Sequence, residues 1–291
     1  MNKTDRSAPL RTKSSPSIGI ALGGGGARGF AHIHVIEAVV EMGLRPAIMS
    51  GTSIGAVVAA GFATGIDARE MRDYATRLVG SYKKALKVLI TKRPMGVLEL
   101  FDFRKTGGAI LKGEAVLELA LPELLQQSFC TLTIPTKVVA TDFFAHRQKV
   151  FDAGPLMPAL AASIALPSLL SPVQINGRYF VDGGMTNPLP YDVIENQADI
   201  IIACDVTGVR AVSADKAPST AEVLFGSIQI TLHALVEAKL AVRSPQILIQ
   251  PPIEEFRVLD FFKLNEILEA TRGVKDEVKR KLDAALEAYS R

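Results

Sequence analysis

Arg45-Pro46-Ala47-Ile48-Met49-Ser50-Gly51-Thr52-Ser53-Ile54-Gly55 runs into Ala56-Val57-Val58-Ala59-Ala60-Gly61: an apolar stretch, a G-x-S-x-G pentapeptide, then a run of small residues. The order reads as strand, tight turn and helix, which lifts a serine hydroxyl out of the backbone as a nucleophile elbow. Gly51 and Gly55 suit such a turn, which brings backbone and side chains too close for a Cβ on either side of Ser53. The plainer reading of the same string is a turn ahead of a helix, with Thr52 or Ser53 as its N-cap.

Outward from the elbow, strand-like and helix-like segments alternate. Ile18-Gly19-Ile20-Ala21-Leu22 is an apolar run ended by glycines, and Ala27 to Met42 carries helical spacing through Phe30, Ile33, Val35, Ile36 and Val39. Asp67 offers an N-cap for a helix from Ala68 towards Val79. Further strands are predicted over Thr136–Ala140, Gln148–Phe151, Arg178–Val181, Ile200–Val206 and Gln246–Gln250, and a charged amphipathic terminal helix over Phe261–Tyr289. Alternation of this kind predicts an α/β fold, a sandwich around a largely parallel sheet.

With 291 residues, 48% of them hydrophobic, the chain can bury a large core. Met1 to Ser17 is polar and basic without an apolar core segment, which predicts a disordered tail rather than a signal peptide; residues 18–291 then form the folded part, with its motifs in 18–206 and a helical C-terminal part in 220–291. A net charge of +3 does not imply a nucleic-acid partner. Cys130 and Cys204 stand in apolar surroundings at no metal-ligand spacing, which predicts buried free thiols and neither a disulfide framework nor a metal site. No stretch reaches the roughly 18 to 20 unbroken apolar residues of a membrane-spanning helix, so the cytoplasm is the default address.

Gly23-Gly24-Gly25-Gly26-Ala27-Arg28-Gly29 follows the first strand and opens the first helix, where Cβ-free backbone and the helix dipole favour a negative charge. Gly24, Gly26 and Gly29 satisfy G-x-G-x-x-G, so a dinucleotide site has to be weighed. That site expects an acidic residue about 20 positions on. Between Glu41 and Asp67 there is none, and no Gly-Lys-[Ser/Thr] follows the glycines to make a P-loop. An oxyanion hole is the better reading, ahead of a structural turn.

A conventional serine triad needs a late histidine. His32 and His34 lie on the first helix, His146 in a polar segment and His233 in an apolar helix, none of them in a loop after a late strand. Tyr179-Phe180-Val181-Asp182-Gly183-Gly184 instead ends an apolar strand on an acid and two glycines, followed by the stiff segment Met185-Thr186-Asn187-Pro188-Leu189-Pro190. An Asp-Gly turn is the plain alternative.

The three motifs in this order, together with Ala162-Ser163-Ile164-Ala165-Leu166-Pro167 and Ser171-Pro172-Val173, resemble the patatin-like phospholipase family over about Ile18 to Val206. The resemblance implies a three-layer α/β/α sandwich and a Ser-Asp dyad that works without histidine. Ser53 matches the nucleophile, Asp182 the general base, and Gly24, Gly25 and Gly26 the oxyanion-hole amides. Arg28 would hold that loop or face a substrate phosphate, and Gly29, Gly51, Gly55, Gly183 and Gly184 are the remaining motif glycines. The implied activity is hydrolysis of phospholipid, lysophospholipid or a simpler carboxylic ester, with an acyltransferase or a scaffold of little turnover as alternatives, and with no metal or organic cofactor. Replacing Gly25 or Gly26 by Ala is expected to impair catalysis with only a modest change in thermal stability.

Between Asp73 and Glu99 there is no acidic residue, while Arg77, Lys83, Lys84, Lys87, Lys92 and Arg93 alternate with apolar residues. The 77–93 stretch reads either as a peripheral contact with anionic lipid or as a helix with an apolar inner face and solvated lysines.

Overall fold

A computed structural model describes residues 15–90, 101–102, 110–121, 127–208, 217 and 219–290. The first part runs β1 (Ile18–Leu22), α1 (His32–Glu41), β2 (Ile48–Thr52), α2 (Ile54–Ala63), α3 (Met71–Ile90), β3 (Phe101–Asp102), β4 (Ile110–Leu111) and α4 (Gly113–Ala120). The chain continues through β5 (Thr136–Asp142), β6 (Arg147–Phe151), α5 (Leu156–Ser163), β7 (Val173–Ile175), β8 (Arg178–Asp182) and β9 (Ile200–Cys204). It ends with α6 (Thr220–Val242), β10 (Ile247–Ile249), α7 (Leu264–Ala270) and α8 (Val274–Ser290).

β1, β2 and β9 are buried along their whole length, as strands of a parallel sheet covered on both faces should be. They belong to an eight-stranded sheet in which β10, β9, β1, β2 and β5 run parallel in that spatial order. Beyond β5 the direction changes: β6 and β8 pair with β5 antiparallel, and β7 pairs with β8 antiparallel. The largely parallel sheet expected from alternation is present in five of the eight strands, and β6, β7 and β8 add an antiparallel part.

The register around β5 sets up the site. Val139 pairs with both Thr52 of β2 and Val150 of β6, and Ala140 with both Asp182 of β8 and Lys149 of β6. Since β6 occupies one edge of β5 from Val138 to Asp142, where the pairs with Thr52 and Asp182 fall, β2 and β8 share the other edge and run towards each other. Their C-terminal ends meet at consecutive positions, Thr52 opposite Val139 and Asp182 opposite Ala140.

The sheet lies between unequal layers. One face carries the larger core, where Ile20, Leu22, Met49, Val138, Ala140, Ile202 and Cys204 are packed with α1, α2, α3, α5, α7 and α8. The other face carries a smaller core of Ala21, Ile48, Ile201 and Ala203 under Leu189, Tyr191, Ile194 and Val236 of α6. The three-layer α/β/α sandwich is present, with one thick and one thin helical layer.

Several boundaries differ from those read in the sequence. The helix predicted over Ala27–Met42 begins as a 3-10 turn, Gly26–Ala31, before α1. The terminal helix is interrupted at Thr271-Arg272-Gly273, where Thr271 donates both its amide (3.0 Å) and its hydroxyl (2.7 Å) to the Ile267 carbonyl. Cys204 is buried as expected, but Cys130 is exposed, because its apolar neighbour Phe129 alone turns inward in the 3-10 turn Phe129–Thr131. Ser17, counted with the tail in the sequence, is fastened to the Asp199 carboxylate through its amide (2.7 Å) and hydroxyl (2.6 Å). Residues 1–14 lie outside the described residues. Glu222–Val242 of α6 is long and apolar enough to cross a membrane by length and composition; Gln229, His233, Glu237 and Lys239 interrupt the run and hide this from a search for unbroken apolar sequence. Its Leu232 and Val236 are packed into the protein.

Candidate active site

Ser53 stands between the last residue of β2 and the first of α2, with φ 53° and ψ −125°. A non-glycine residue in this region stores roughly 1–3 kcal/mol of strain, so its surroundings must hold it there. The flanking glycines make room: a Cβ at Gly51 would come within 2.5 Å of the Ala56 amide nitrogen, and one at Gly55 would strike the Leu22 carbonyl oxygen. The Ser53 amide does not join the helix and donates instead to Ser163 Oγ at 2.8 Å.

The meeting of β2 and β8 brings the two sequence motifs into contact. Ser53 Oγ donates to Asp182 Oδ2 at 2.6 Å. The other carboxylate oxygen, Oδ1, accepts the Gly184 amide at 2.8 Å, and the Asp182 amide donates to the Ala165 carbonyl at 3.0 Å. Gly183 packs so tightly on β5 that a Cβ would strike the Val139 carbonyl. Asp182 is buried, and burial pushes its carboxyl up to about 6, against the opposing pull of the hydrogen bonds from Ser53 and Gly184.

The glycine loop lies beside the elbow. A Cβ built on Gly24 would sit 3.4 Å from Ser53 Cβ. The Gly24 amide donates to the Pro188 carbonyl at 2.8 Å. Gly26 has φ 58°, and a Cβ there would strike the Val258 carbonyl; a Cβ at Gly25 would come within 2.5 Å of the Val206 carbonyl oxygen. Both are backbone obstacles, which argues against the expectation of only a modest change in thermal stability for alanine at Gly25 or Gly26. Gly29 faces the Ile54 side chain.

Arg28 is buried and turned into the protein. Its Nε donates to the Phe256 carbonyl at 2.9 Å, and Nη1 to the carbonyls of Thr207 and Gly208 at 2.9 Å and to Gln229 Oε1 at 3.2 Å. These bonds tie the glycine loop to the Phe256 and Thr207–Gly208 backbone.

Ile54, Val57, Leu78, Leu117, Leu166 and Leu232 are among the residues that surround an apolar pocket whose wall includes Gly24, Gly25, Gly26, Ser53 and Asp182. No histidine is found among the described residues that line it. His32 and His34 are core residues: His32 Nε2 bonds the Gly23 carbonyl at 2.8 Å and His34 Nε2 the Leu268 carbonyl at 2.8 Å. Burial lowers His32 to about 4, so it is neutral near pH 7 and its Nε2–H is the donor.

Two features escaped the sequence reading. Ser163 was visible only as part of a motif, a hydroxyl at the end of Leu160-Ala161-Ala162. The segment Asn187–Pro190 does more than stiffen a loop: its carbonyls accept Thr52 Oγ1 (Asn187, 2.7 Å), the Gly24 amide (Pro188, 2.8 Å) and Ser50 Oγ (Pro190, 2.8 Å). Backbone acceptors leave no signature in residue type. Of the 77–93 stretch, the backbone continues in α3 to Ile90, while the side chains from 81 onward, and residues 91–93 entirely, lie outside the described residues.

A family model described as patatin-like phospholipase matches residues 20–194. An NTE family protein of Mycobacterium tuberculosis is 36% identical over 225 residues, a match covering 76% of this chain and 58% of that protein. Lysophospholipase NTE1 of Saccharomyces cerevisiae is 28% identical over 295 residues, covering 91% of this chain and 17% of that protein. The chain thus spans little more than half the length of the first of these relatives and a smaller share of the second. Among solved structures, VipD from Legionella pneumophila shares the fold at 16% identity, with a TM-score of 0.51 over 93% of this chain and 67% of that one. The family match covers more than half of the chain and contains the elbow, the glycine loop and the Asp-Gly-Gly turn, and the chain belongs to the patatin-like phospholipase family.

Proposed function

We propose that the protein hydrolyses carboxylic esters of lipids, with phospholipid and lysophospholipid as the substrate classes, through an acyl-enzyme on Ser53. The observation that carries this is the 2.6 Å hydrogen bond from Ser53 Oγ to Asp182 Oδ2 at the wall of an apolar pocket. Family membership and the lysophospholipase relative support the substrate class.

Ser53 Oγ attacks the ester carbonyl carbon while its proton passes to Asp182 Oδ2, and the carbonyl electron pair moves to oxygen. A solvated carboxylate, with a pKa of about 3.9, is a weak base at neutral pH. Burial, which raises Asp182 to about 6, makes it a competent one. The tetrahedral oxyanion is held by backbone amides of the glycine loop, each important donor worth about 3–4 kcal/mol of barrier. We assign this role to Gly25 and Gly26, since the Gly24 amide already serves Pro188. Collapse breaks the ester bond, and the leaving alkoxide takes the proton from Asp182. Water, deprotonated by Asp182, then releases the acyl group and restores the serine. The apolar side chains of the pocket suit an acyl chain.

A fluorophosphonate probe followed by peptide mapping tests the reading. Labelling on Ser53 with hydrolysis of a soluble ester is expected in the wild type, and Ser53→Ala should lose both. Labelling or turnover that survives in Ser53→Ala overturns the assignment.

A further inference from the structure

Both members of the Ser53–Asp182 pair are gripped through their backbone amides by one corner of the chain, Ser163 to Ala165. Ser163 closes α5 and is fully buried. Its Oγ accepts the Ser53 amide at 2.8 Å and donates to the Val139 carbonyl at 2.6 Å. Two residues on, the Ala165 carbonyl accepts the Asp182 amide at 3.0 Å. Val139 is the β5 residue opposite Thr52, and Ala140, its neighbour, lies opposite Asp182. The corner therefore bridges the junction at which the two strand ends meet. Ile164 and Leu166, beside and just beyond it, belong to the pocket wall.

The Ser163 bond does more than pack the corner. Ser53 holds a strained backbone at φ 53°, ψ −125°, and such a conformation persists only where neighbours over-determine it. An amide without an acceptor beside an apolar pocket is costly, and relaxing the turn is the simplest way for it to find one. In other serine hydrolases the nucleophile's own amide can serve the oxyanion; here it is committed to Ser163.

We infer that Ser163 is a positioning residue for the nucleophile: its hydroxyl ties the Ser53 amide to strand β5, holding the elbow so that Ser53 Oγ meets Asp182. The inference rests on the Ser53–Asp182 reading. It is tested in the full chain with Ser163→Ala, Ser53→Ala and Asp182→Asn, using a soluble short-chain ester and the fluorophosphonate probe. In Ser163→Ala, kcat and the probe-labelling rate are expected to fall together by about 10²-fold, the scale of a 1 Å misplacement of a reacting group. KM should stay within about three-fold of wild type, as befits a lesion in the nucleophile rather than in uniform substrate binding. The acid limb of kcat/KM should stay in place or move to higher pH, because Asp182 stays buried and loses the Ser53 hydrogen bond that pulls its carboxyl down. A kcat within about three-fold of wild type overturns the inference. So does an acid limb shifted towards the ordinary carboxylate range with a raised KM, which would report a collapsed pocket wall. Should Ser163→Ala fail to fold, Ser163→Cys, which fills the site with a slightly larger group and weakens both bonds, takes its place under the same criteria. Activity surviving in Ser53→Ala would remove the underlying dyad reading; loss in Ser53→Ala with near-normal Ser163→Ala removes this inference alone.

Discussion

The two halves of the sheet supply the site by opposite routes. In the parallel half, β1 and β2 each end in a tight, glycine-bearing turn into a helical segment, delivering the glycine loop and Ser53. In the antiparallel half, β8 runs back along β5 and delivers Asp182 head-on to the end of β2. A parallel neighbour in the position of β8 would point its C-terminal end the same way as β2 and could not meet it. The change of strand direction is what brings Ser53 and Asp182 together.

The strongest test of this comparison removes the carboxylate of the antiparallel half. Asp182→Asn should cost about 10³ to 10⁴ in kcat, within the range of a lost general base, while Asn can still accept the Gly184 amide and donate to Ser53 Oγ. Stability should move the other way. Folded Asp182 keeps its proton to about pH 6, whereas its ordinary value is 3.8. Between those values the folded chain binds more protons than the unfolded one, so wild-type stability falls as pH rises, by up to roughly 3 kcal/mol above pH 6. Asp182→Asn lacks that slope and should be the more stable protein at pH 7 to 8, with the difference vanishing below about pH 4. Activity should rise through about pH 6 as Asp182 ionises. Thermal melts across pH, beside a pH–rate profile, check both; equal stability of the two proteins at pH 8 would mean that Asp182 is not the buried base.

The halves also differ in how much of them the sequence reveals. Elbow and glycine loop are legible because their geometry excludes side chains: Gly51, Gly55 and Gly26 are dictated by obstructing backbone or a positive φ, and such demands show in residue type. Asp182 is legible through the Asp-Gly-Gly turn, since Gly183 lies against the Val139 carbonyl. The reversal of direction after β5 is not legible, because the apolar pattern of a strand carries no direction. Ser163 and the Asn187–Pro190 carbonyls are hidden for another reason. The carbonyls of Asn187–Pro190 are backbone acceptors that any sequence offers, and Ser163 works through one buried hydroxyl bonded to two backbone groups, contacts that no spacing in the sequence announces.

A second test breaks the parallel half. Gly26→Ala forces φ 58° on a residue with a Cβ and drives that Cβ into the Val258 carbonyl, so the loop must shift. Such a change is expected to lower stability by roughly 1–3 kcal/mol and to lower kcat by about ten- to a hundred-fold as the Gly25 and Gly26 amides move. Gly24→Ala meets Thr52 Cγ2 at 3.3 Å, Ser53 Cβ at 3.4 Å and the Thr52 carbonyl oxygen at 3.5 Å, no contact shorter than 3.3 Å, and should keep its stability better. Melting the two variants side by side checks the contrast; equal losses would show that the loop tolerates no Cβ at all.

The smallest expected effect on activity lies where the thin layer meets both halves. Lys239 of α6 donates to Asn187 Oδ1 at 2.7 Å and to the Leu189 carbonyl at 2.8 Å, pairs with Asp192, and lies 4.6 Å from the Tyr191 ring centre. Burial lowers its pKa, opposed by Asp192. Through Asn187–Pro190 it therefore stands one step behind Thr52 and the Gly24 amide. Lys239→Met keeps the length of the stem and removes the ammonium, leaving those acceptors short of a donor at a cost of about 1–3 kcal/mol, or several degrees in Tm. The segment would still be held from the catalytic side by Thr52 Oγ1, Ser50 Oγ and the Gly24 amide, three bonds that do not involve α6. Turnover of a soluble ester should accordingly fall by less than about ten-fold, well short of the Ser163→Ala loss. If kcat in Lys239→Met instead drops as far as in Ser163→Ala at a temperature where both are folded, the elbow is aligned from the thin layer, and the junction on β5 is not its main support.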